Sequence, residues 1–274
     1  MNPSFSHGFI GIGNMAQVIL HSLLEDGHVS PRQVIVSRNN RTALKNIKKK
    51  YKVVTTTDNR EVAGNCQYLW LGVKPFQAVE VLNKIGCFLG PKTLIITMMA
   101  GVSTSFIRKA LGQKIHVLRI MPNTPALLGQ GMIGAYFTKD FPKRARQMFL
   151  KILGDLGEVL ELKRESEFDV VTGLSGSGPA FVYTIAQGLI NGGLKGGLKL
   201  TQARLLALQT LRGAVSMMEV TGKDPDALIT QVTSKKGTTE AGLRELKKAK
   251  TSQSLTRAVL SATRRSKEIS KSLE

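Results

Sequence analysis

Two stretches of the sequence carry groups spaced to hold an anion with backbone N–H groups. The first is Gly11-Ile12-Gly13-Asn14-Met15-Ala16, which follows a short apolar run at Phe9-Ile10 and opens an amphipathic stretch reaching about Leu24. A strand, a glycine turn and a helix start, in that order, make a pyrophosphate cradle. Gly11 permits the tight turn, Gly13 lets the backbone approach the phosphates, and Ala16 allows strand and helix to pack closely. The positive end of the helix then faces the anion. The second stretch is Val232-Thr233-Ser234-Lys235-Lys236-Gly237-Thr238-Thr239, a run of hydroxyls ahead of another helix. Its hydroxyls and N–H groups suit a carboxylate or a phosphate, and they equally suit plain helix capping.

The end of the next strand bears on which nucleotide is held. An NAD site generally places Asp or Glu there for the ribose 2′-hydroxyl, whereas this chain has Ser37-Arg38-Asn39-Asn40-Arg41. Guanidinium forks and a hydroxyl complement a 2′-phosphate, which favours NADP(H) and leaves NAD(H) open. Arg38 and Arg41 also read as solvated residues at a helix start. Three more strand ends are rich in backbone-exposing residues: Gly72-Val73-Lys74-Pro75, Ala100-Gly101-Val102-Ser103 and Met121-Pro122-Asn123-Thr124-Pro125. Singly these are ordinary turn formers. The run Leu174 to Ala180 reads as a loop followed by a helix with Pro179 in its first turn.

These groups need a frame that brings distant strand ends together. Short apolar runs at Phe9-Ile10, Val34 to Val36, Val53-Val54, Tyr68 to Val73, Leu94 to Ile96 and Ile115 to Leu118 alternate with longer amphipathic stretches. That rhythm predicts an α/β domain of the Rossmann type, a doubly wound and mainly parallel sheet with ligands at the carboxyl ends of its strands. After about Lys163 the strand-like runs stop. Helices are expected over Glu165 to Leu174, Pro179 to Asn191, Thr201 to Val220, Asp226 to Val232, Thr239 to Ala249 and about Gln253 to Ile269. The expected organisation is a dinucleotide-binding domain over 1–163 and an all-helical domain over 164–274. Small residues recur in the second, among them Gly188, Gly192, Gly193, Ala203, Ala207 and Gly213. Glycine costs a helix about 1 kcal/mol relative to alanine, so close helix packing must offset it.

Composition narrows the functional classes. No apolar run is long enough to span a bilayer, and Met1 to His7 lack the pattern of a secretory signal, so a cytoplasmic protein without membrane association is expected. Cys66 and Cys87 fall in no paired ligand spacing, and the four histidines form no H-x-x-x-H pattern; no metal is expected. The net charge is +20, of which residues 1–164 carry +14 (23 basic, 9 acidic side chains). Clusters such as Lys48 to Lys50 lack interleaved aromatics or a nucleic-acid motif, so a solvated basic face is favoured over nucleic-acid binding.

The strings GFIGIGNMA, GVKP, MAGVS, RIMPNTPALLGQGM, LSGSGPAFVY, ALQTLRGAVSMM and VTSKKGTTEAGL, in this order over nearly the whole chain, closely resemble the pyrroline-5-carboxylate reductase family. The resemblance implies a Rossmann domain, a helical dimerisation domain that makes a homodimer or larger homo-oligomer, and NAD(P)H-dependent reduction of a cyclic imino acid to L-proline. Carried over by position, it implies cofactor contacts at Ile10, Gly11, Ile12, Gly13, Asn14, Met15, Ser37, Arg38, Asn59 and Gly72, Val73, Lys74, Pro75. Ala100, Gly101 and Asn123 would lie near the nicotinamide. It also implies that Ser234, Gly237, Thr238 and Thr239 hold the substrate, with Thr239 as the catalytic contact to the ring nitrogen. The imine can enter protonated, so positioning and electrostatics suffice without a strong side-chain acid.

The chain departs from the family where S-P-G-G-T is usual and Ser234-Lys235-Lys236-Gly237-Thr238 stands here; Gln130 and Gln187 replace common acidic residues. If the lost glycine needed a positive φ, the loop must distort. Two other readings follow: a reductase of a different imino acid, or a non-catalytic NADP-binding homologue with a regulatory or polyanion-binding role.

Overall fold

The computed structural model describes residues 3–272. Among them eight strands form one sheet: β1 (Phe5–Ile10), β2 (Val34–Ser37), β3 (Val54–Thr56), β4 (Cys66–Leu71), β5 (Leu94–Thr97), β6 (His116–Met121), β7 (Gly131–Phe137) and β8 (Gly157–Glu161). Their order is β3-β2-β1-β4-β5-β6-β7-β8. Only the β6–β7 pair is antiparallel. The first six strands follow the 3-2-1-4-5-6 order of the doubly wound dinucleotide fold, the mainly parallel sheet that the sequence predicts. The order reverses at β1, flanked by β2 and β4, so the crevice opens beyond the carboxyl end of β1, where Gly11 begins.

Strands β7 and β8 have no counterpart among the apolar runs that the periodicity picks out. Gly131 and Gly134 interrupt the apolar pattern of β7, yet both are there for close packing. A Cβ on Gly131 would lie 2.7 Å from Ala126 Cβ, and one on Gly134 would lie 2.8 Å from Val171 Cγ1. β8 is the edge strand, and its Glu158 and Glu161 mask it as a surface segment.

Helices α1 (Asn14–Glu25), α2 (Arg41–Tyr51), α3 (Asn59–Asn65), α4 (Ala78–Ile85), α5 (Thr104–Leu111) and α6 (Lys143–Gly154) cover the sheet. The strands are buried on both faces, so alternate residues enter two cores. Phe9, Val36, Trp70, Ile96 and Leu118 pack with α1, α2 and α6. Ile10, Ile35, Leu71, Ile95 and Val117 pack with α3, α4 and α5. Trp70 stacks on Phe9 with centroids 5.5 Å apart and meets Phe149 edge-on.

In the first core, the Trp70 indole N–H donates to Nδ1 of buried His7 at 2.9 Å. Burial, with a smaller contribution from His28, pushes the His7 pKa down from 6.5 to about 3. Between those values the unfolded chain takes up a proton that the folded chain refuses, so stability falls as pH drops. The slope for this site approaches about 1.4 kcal/mol per pH unit. Urea midpoints from pH 7 to pH 4 should therefore fall less steeply in His7→Asn, which keeps an acceptor near Nδ1 and cannot titrate; an unchanged slope would remove His7 as the cause.

After β8 no further strand occurs among the described residues. A 3-10 turn at Glu165–Glu167 leads through α7 (Phe168–Val171) into a π-helical turn at Thr172–Gly176, closed by Ser177 N–H donating to Thr172 O at 2.9 Å. The expected loop from Leu174 is thus corrected. Its Ser-Gly-Ser-Gly composition reads as loop, but the segment is a widened helical turn, and α8 (Gly178–Lys195) starts directly after Ser177. Then follow α9 (Leu200–Thr221), α10 (Pro225–Gln231), α11 (Thr238–Lys248) and α12 (Thr251–Lys271).

Contacts divide the chain into two compact units. One runs up to Ser177 and takes back the segment from Ser261; the other is Gly178–Leu260. In the second unit only Ala186, Ala203 and Ala207 are buried apolar residues among those described, whereas Tyr183 (63%), Leu205 (70%) and Val220 (86%) stand exposed. Helices α8 and α9 approach closely where a Cβ on Gly193 would lie 2.9 Å from Ala203 Cβ. So small a core cannot stabilise the unit alone, and its apolar faces require a covering surface. No helix among the described residues is long and apolar enough to cross a membrane.

Candidate active site

The glycine turn is built by three close backbone approaches. Gly11 has φ +80°, its N–H donates to Ser37 O at 3.2 Å, and a Cβ there would lie 2.6 Å from Val73 Cγ1. Gly72 N–H donates to Ile10 O at 2.9 Å, and a Cβ on Gly72 would run into Gly11 O and come 3.1 Å from Ala16 Cβ. The ends of β1 and β4 therefore lock together under the start of α1. Gly13 is different: its backbone is extended (φ −75°, ψ −176°), and a Cβ placed on it meets nothing within 4 Å. Helix α1 begins there without a side-chain cap and without an acidic residue in its first turn. Its first N–H groups have no intrahelical partner and no side-chain cap, and a pyrophosphate fits at such a helix start.

At the end of β2 the side chains divide. Ser37 is fully buried, and its hydroxyl donates to Asn59 Oδ1 at 2.7 Å, with Phe9 O at 3.3 Å. In this arrangement both side chains tie β2 to α3. Arg38 is half-buried and its Nη1 donates to Ile12 O at 3.3 Å, which lays the guanidinium along the glycine turn. Asn40 caps α2 through Ala43 N at 2.9 Å, and Asn39 and Arg41 are exposed. Lys74 is exposed after the β4 end, ahead of a 3-10 turn at Pro75–Gln77.

The remaining strand ends lie along the same edge of the sheet. Gly101, beyond β5, has φ +75°, and the last turns of α12 cover it: a Cβ would lie 2.7 Å from Ile269 Cγ2 and 3.1 Å from Ser270 N. Ser266 of that segment donates to Asp169 Oδ1 at 2.7 Å. Asn123, beyond β6, accepts from Met132 N at 3.0 Å and turns its Nδ2 toward Ser175 O and Oγ, both at 3.3 Å. Ser175 therefore holds the Asn123 side chain in place, a contact that the loop reading passed over. The signal was the repeated small polar residues, which a π turn accommodates as readily as a loop.

The hydroxyl run belongs to the second unit. Gly237 caps α11 with extended backbone and no side-chain cap bond, so the first-turn N–H groups, those of Thr238 and Thr239, have no intrahelical partner. Ser234 and Thr238 are exposed and Thr239 is half-buried. Gly237 N–H donates to Ser234 O at 3.0 Å, and Lys236 N–H donates to Glu240 Oε2 at 2.6 Å.

Lys236 has φ +60°. A left-handed residue thus stands at the position where the resemblance expects glycine, and the lysine takes up the strain, at a cost of about 1–2 kcal/mol. Lys236→Val should lower stability in a urea titration by about 1–2 kcal/mol, since a β-branched side chain fits that region worst, while Lys236→Gly should lose nothing. Equal losses for both would mean that the left-handed turn is absent in solution.

The sequence profile described as pyrroline-5-carboxylate reductase dimerisation matches residues 165–269. That described as NADP oxidoreductase, coenzyme F420-dependent, matches residues 6–101. Pyrroline-5-carboxylate reductase 1 of Bacillus spizizenii is 33% identical, over 97% of this chain and 90% of its own. The Synechocystis pyrroline-5-carboxylate reductase is 35% identical over 98% and 99%. Among solved structures, Plasmodium falciparum pyrroline carboxylate reductase with NADP bound aligns at TM-score 0.88 and 27% identity, covering 98% of this chain and all of the other. That of Coxiella burnetii aligns at 0.85 and 33%, covering 97% and 99%. With the cradle at one end, the dimerisation profile at the other and a third of its residues shared along almost its entire length, the chain belongs to the pyrroline-5-carboxylate reductase family.

Proposed function

We propose that this chain reduces 1-pyrroline-5-carboxylate to L-proline with NADPH, the last step of proline biosynthesis, as a cytoplasmic homodimer or larger homo-oligomer. The reading is carried by the full-length match to relatives that bear the name of this reductase, 33% identical over 97% of the chain in one case and 35% over 98% in another. The chain is an NAD(P)-binding oxidoreductase that associates through α8 and α9, whose exposed apolar residues would be covered by a second copy.

When bound, the reduced nicotinamide would supply a hydride to the carbon of the protonated imine, whose nitrogen already carries the proton, so that C=NH⁺ becomes CH–NH. The chain's residues bind and orient. Gly13, Asn14 and Met15 hold the pyrophosphate on backbone N–H groups at the α1 N-terminus, while Ile10 to Ile12 and Gly72 to Pro75 form the turn walls beside it. Arg38, already lying along the turn, meets the 2′-phosphate and gives the preference for NADPH. Ser37 and Asn59 hold the strand end that presents Arg38. Ala100, Gly101 and Asn123 border the nicotinamide. Ser234, Gly237 and Thr238 take the substrate carboxylate at the α11 N-terminus, and the Thr239 hydroxyl hydrogen-bonds the ring nitrogen. A protonated imine needs no side-chain acid, so the work of the site is alignment and charge complementarity.

Steady-state oxidation of NADPH and NADH with pyrroline-5-carboxylate tests the reading through kcat/KM for each pair. Turnover favouring NADPH is expected. Turnover favouring NADH would remove the role given to Arg38. Cofactor binding without turnover would favour a reductase of another imino acid, a reading that the strained lysine at position 236 supports, or a homologue without catalysis.

A further inference from the structure

One charged side chain in the first unit stands inside the sheet. Arg119 interrupts the apolar strand β6, is 4% exposed, and has a buried Nε with no hydrogen-bond partner. Burying a guanidinium is costly unless its charge is answered in place. Here the answer comes from a distant segment: Nη1 donates to Glu165 Oε1 at 2.9 Å, and the guanidinium lies 4.3 Å above the Phe168 ring. Glu165 does not end there. Its Oε1 also accepts from Thr104 N–H at 2.7 Å, and its Oε2 accepts from the Thr104 hydroxyl at 2.6 Å.

Thr104 is the first residue of α5, directly after the loop that carries Ala100 and Gly101; Arg119 lies four residues before Asn123; Glu165 opens the coil that runs into the π turn holding Ser175. The two segments that contain the proposed nicotinamide contacts, and the one that carries Ser175, are thus tied at one carboxylate. A second tie, Asn123 to Ser175, runs parallel to it. A neutral apolar set would bury the same surface without fixing distances, whereas a carboxylate with three short donors fixes three backbones at once.

We propose that Arg119 and Glu165 are positioning residues: their ion pair, through Thr104, sets the spacing between the 100–103 loop and Asn123, and hence the orientation of the nicotinamide for hydride transfer. The inference rests on the cofactor reading above. The adenosine half of the site, at Arg38 beyond the end of β2, is carried by other elements and is left alone by the pair. Loss of the pair should loosen the nicotinamide and spare the adenosine end, and small misalignments of reacting groups cost about ten- to a hundredfold in rate.

Arg119→Met alone strands the Glu165 charge and can unfold the chain. The informative protein is therefore Arg119→Met/Glu165→Gln, in which no charge is left unpaired and the amide carbonyl introduced at position 165 still accepts from Thr104. Four quantities are read on the full chain: the thermal midpoint, the Kd of adenosine 2′,5′-bisphosphate, the rise in NADPH fluorescence on binding, and kcat with pyrroline-5-carboxylate. We expect a cooperative fold, a bisphosphate Kd within about twofold of the parent, and loss of most of the fluorescence rise. kcat should fall at least about tenfold, with KM for NADPH little changed. Arg119→Lys, which keeps the charge, should recover part of both losses.

A folded double variant with parental fluorescence and kcat would overturn the inference, as would an equal loss of bisphosphate binding. Should the parent bind NADPH yet not turn over the imine, the proposed function fails while the fluorescence comparison still decides the role of the pair. A parent that binds neither NADPH nor the bisphosphate overturns both.

Discussion

Replacing Gly13 with valine should raise the KM for NADPH by about two orders of magnitude and leave the protein folded. The two halves of that expectation come from one observation. The Gly13 backbone is extended, a conformation open to any residue, and a Cβ there meets no protein atom within 4 Å. The fold therefore tolerates the side chain, with a change of about 1 kcal/mol or less from the poorer helix cap. The space it fills is the space in front of the uncapped α1 N-terminus. A pyrophosphate kept from that position loses charge-assisted bonds of about 1.5–3 kcal/mol each, and one such bond corresponds to about ten- to a hundredfold in affinity. Gly11→Val is the contrasting variant, because φ +80° and a Cβ 2.6 Å from Val73 Cγ1 leave no room for it. It should fail to fold. A Gly13→Val protein that binds NADPH like its parent would place the pyrophosphate elsewhere.

Thr239→Ala should lower kcat/KM for pyrroline-5-carboxylate by about ten- to a hundredfold while NADPH affinity stays as it was. Thr239 is the second residue of α11, half-buried, at a helix start that makes no side-chain cap bond of its own. Its hydroxyl is therefore not part of what holds the helix, and its removal should cost little stability. What is lost is one hydrogen bond to a charged or strongly polarised ring nitrogen, about 1.5–3 kcal/mol if it is made in full in the transition state. Thr239→Ser should keep most of the activity, since the hydroxyl remains. Steady-state kinetics on the pair, with NADPH affinity measured separately, decides the matter. An Ala variant with parental kcat/KM would take the substrate contact away from Thr239.

Much of this architecture was legible in the chain itself. The apolar runs that became β1 to β6 are short, bounded by turn residues and spaced by amphipathic stretches, so their periodicity alone implies the doubly wound sheet. The glycine turn was readable for the same reason: tight turn, close approach and helix start each demand a residue type, and the types occur in order. β7 was harder to read, because Gly131 and Gly134 answer to Ala126 and Val171, residues that no local pattern links to them. The π turn at Thr172–Gly176 was hidden by a composition that serves loops equally well.

The side chains of the site show where local reading stops. Ser37 stands where a hydroxyl could serve a ribose phosphate, yet its donor is given to Asn59, 22 residues away. Asn123 is held by Ser175 across 52 residues, and Arg119 by Glu165 across 46. Lys236 looked like the loss of a needed glycine, and only the folded loop reveals that lysine itself takes the left-handed conformation.

The sequence by itself thus determined the fold class, the helical half and the glycine turn ahead of α1, because each is written in spacing over a few neighbouring residues. The tertiary structure decided which polar side chains are spent inside the protein and which remain for a ligand. That choice depends on partners brought together only when the sheet closes, and a hydrogen bond between residues dozens of positions apart leaves no period in the chain to be read.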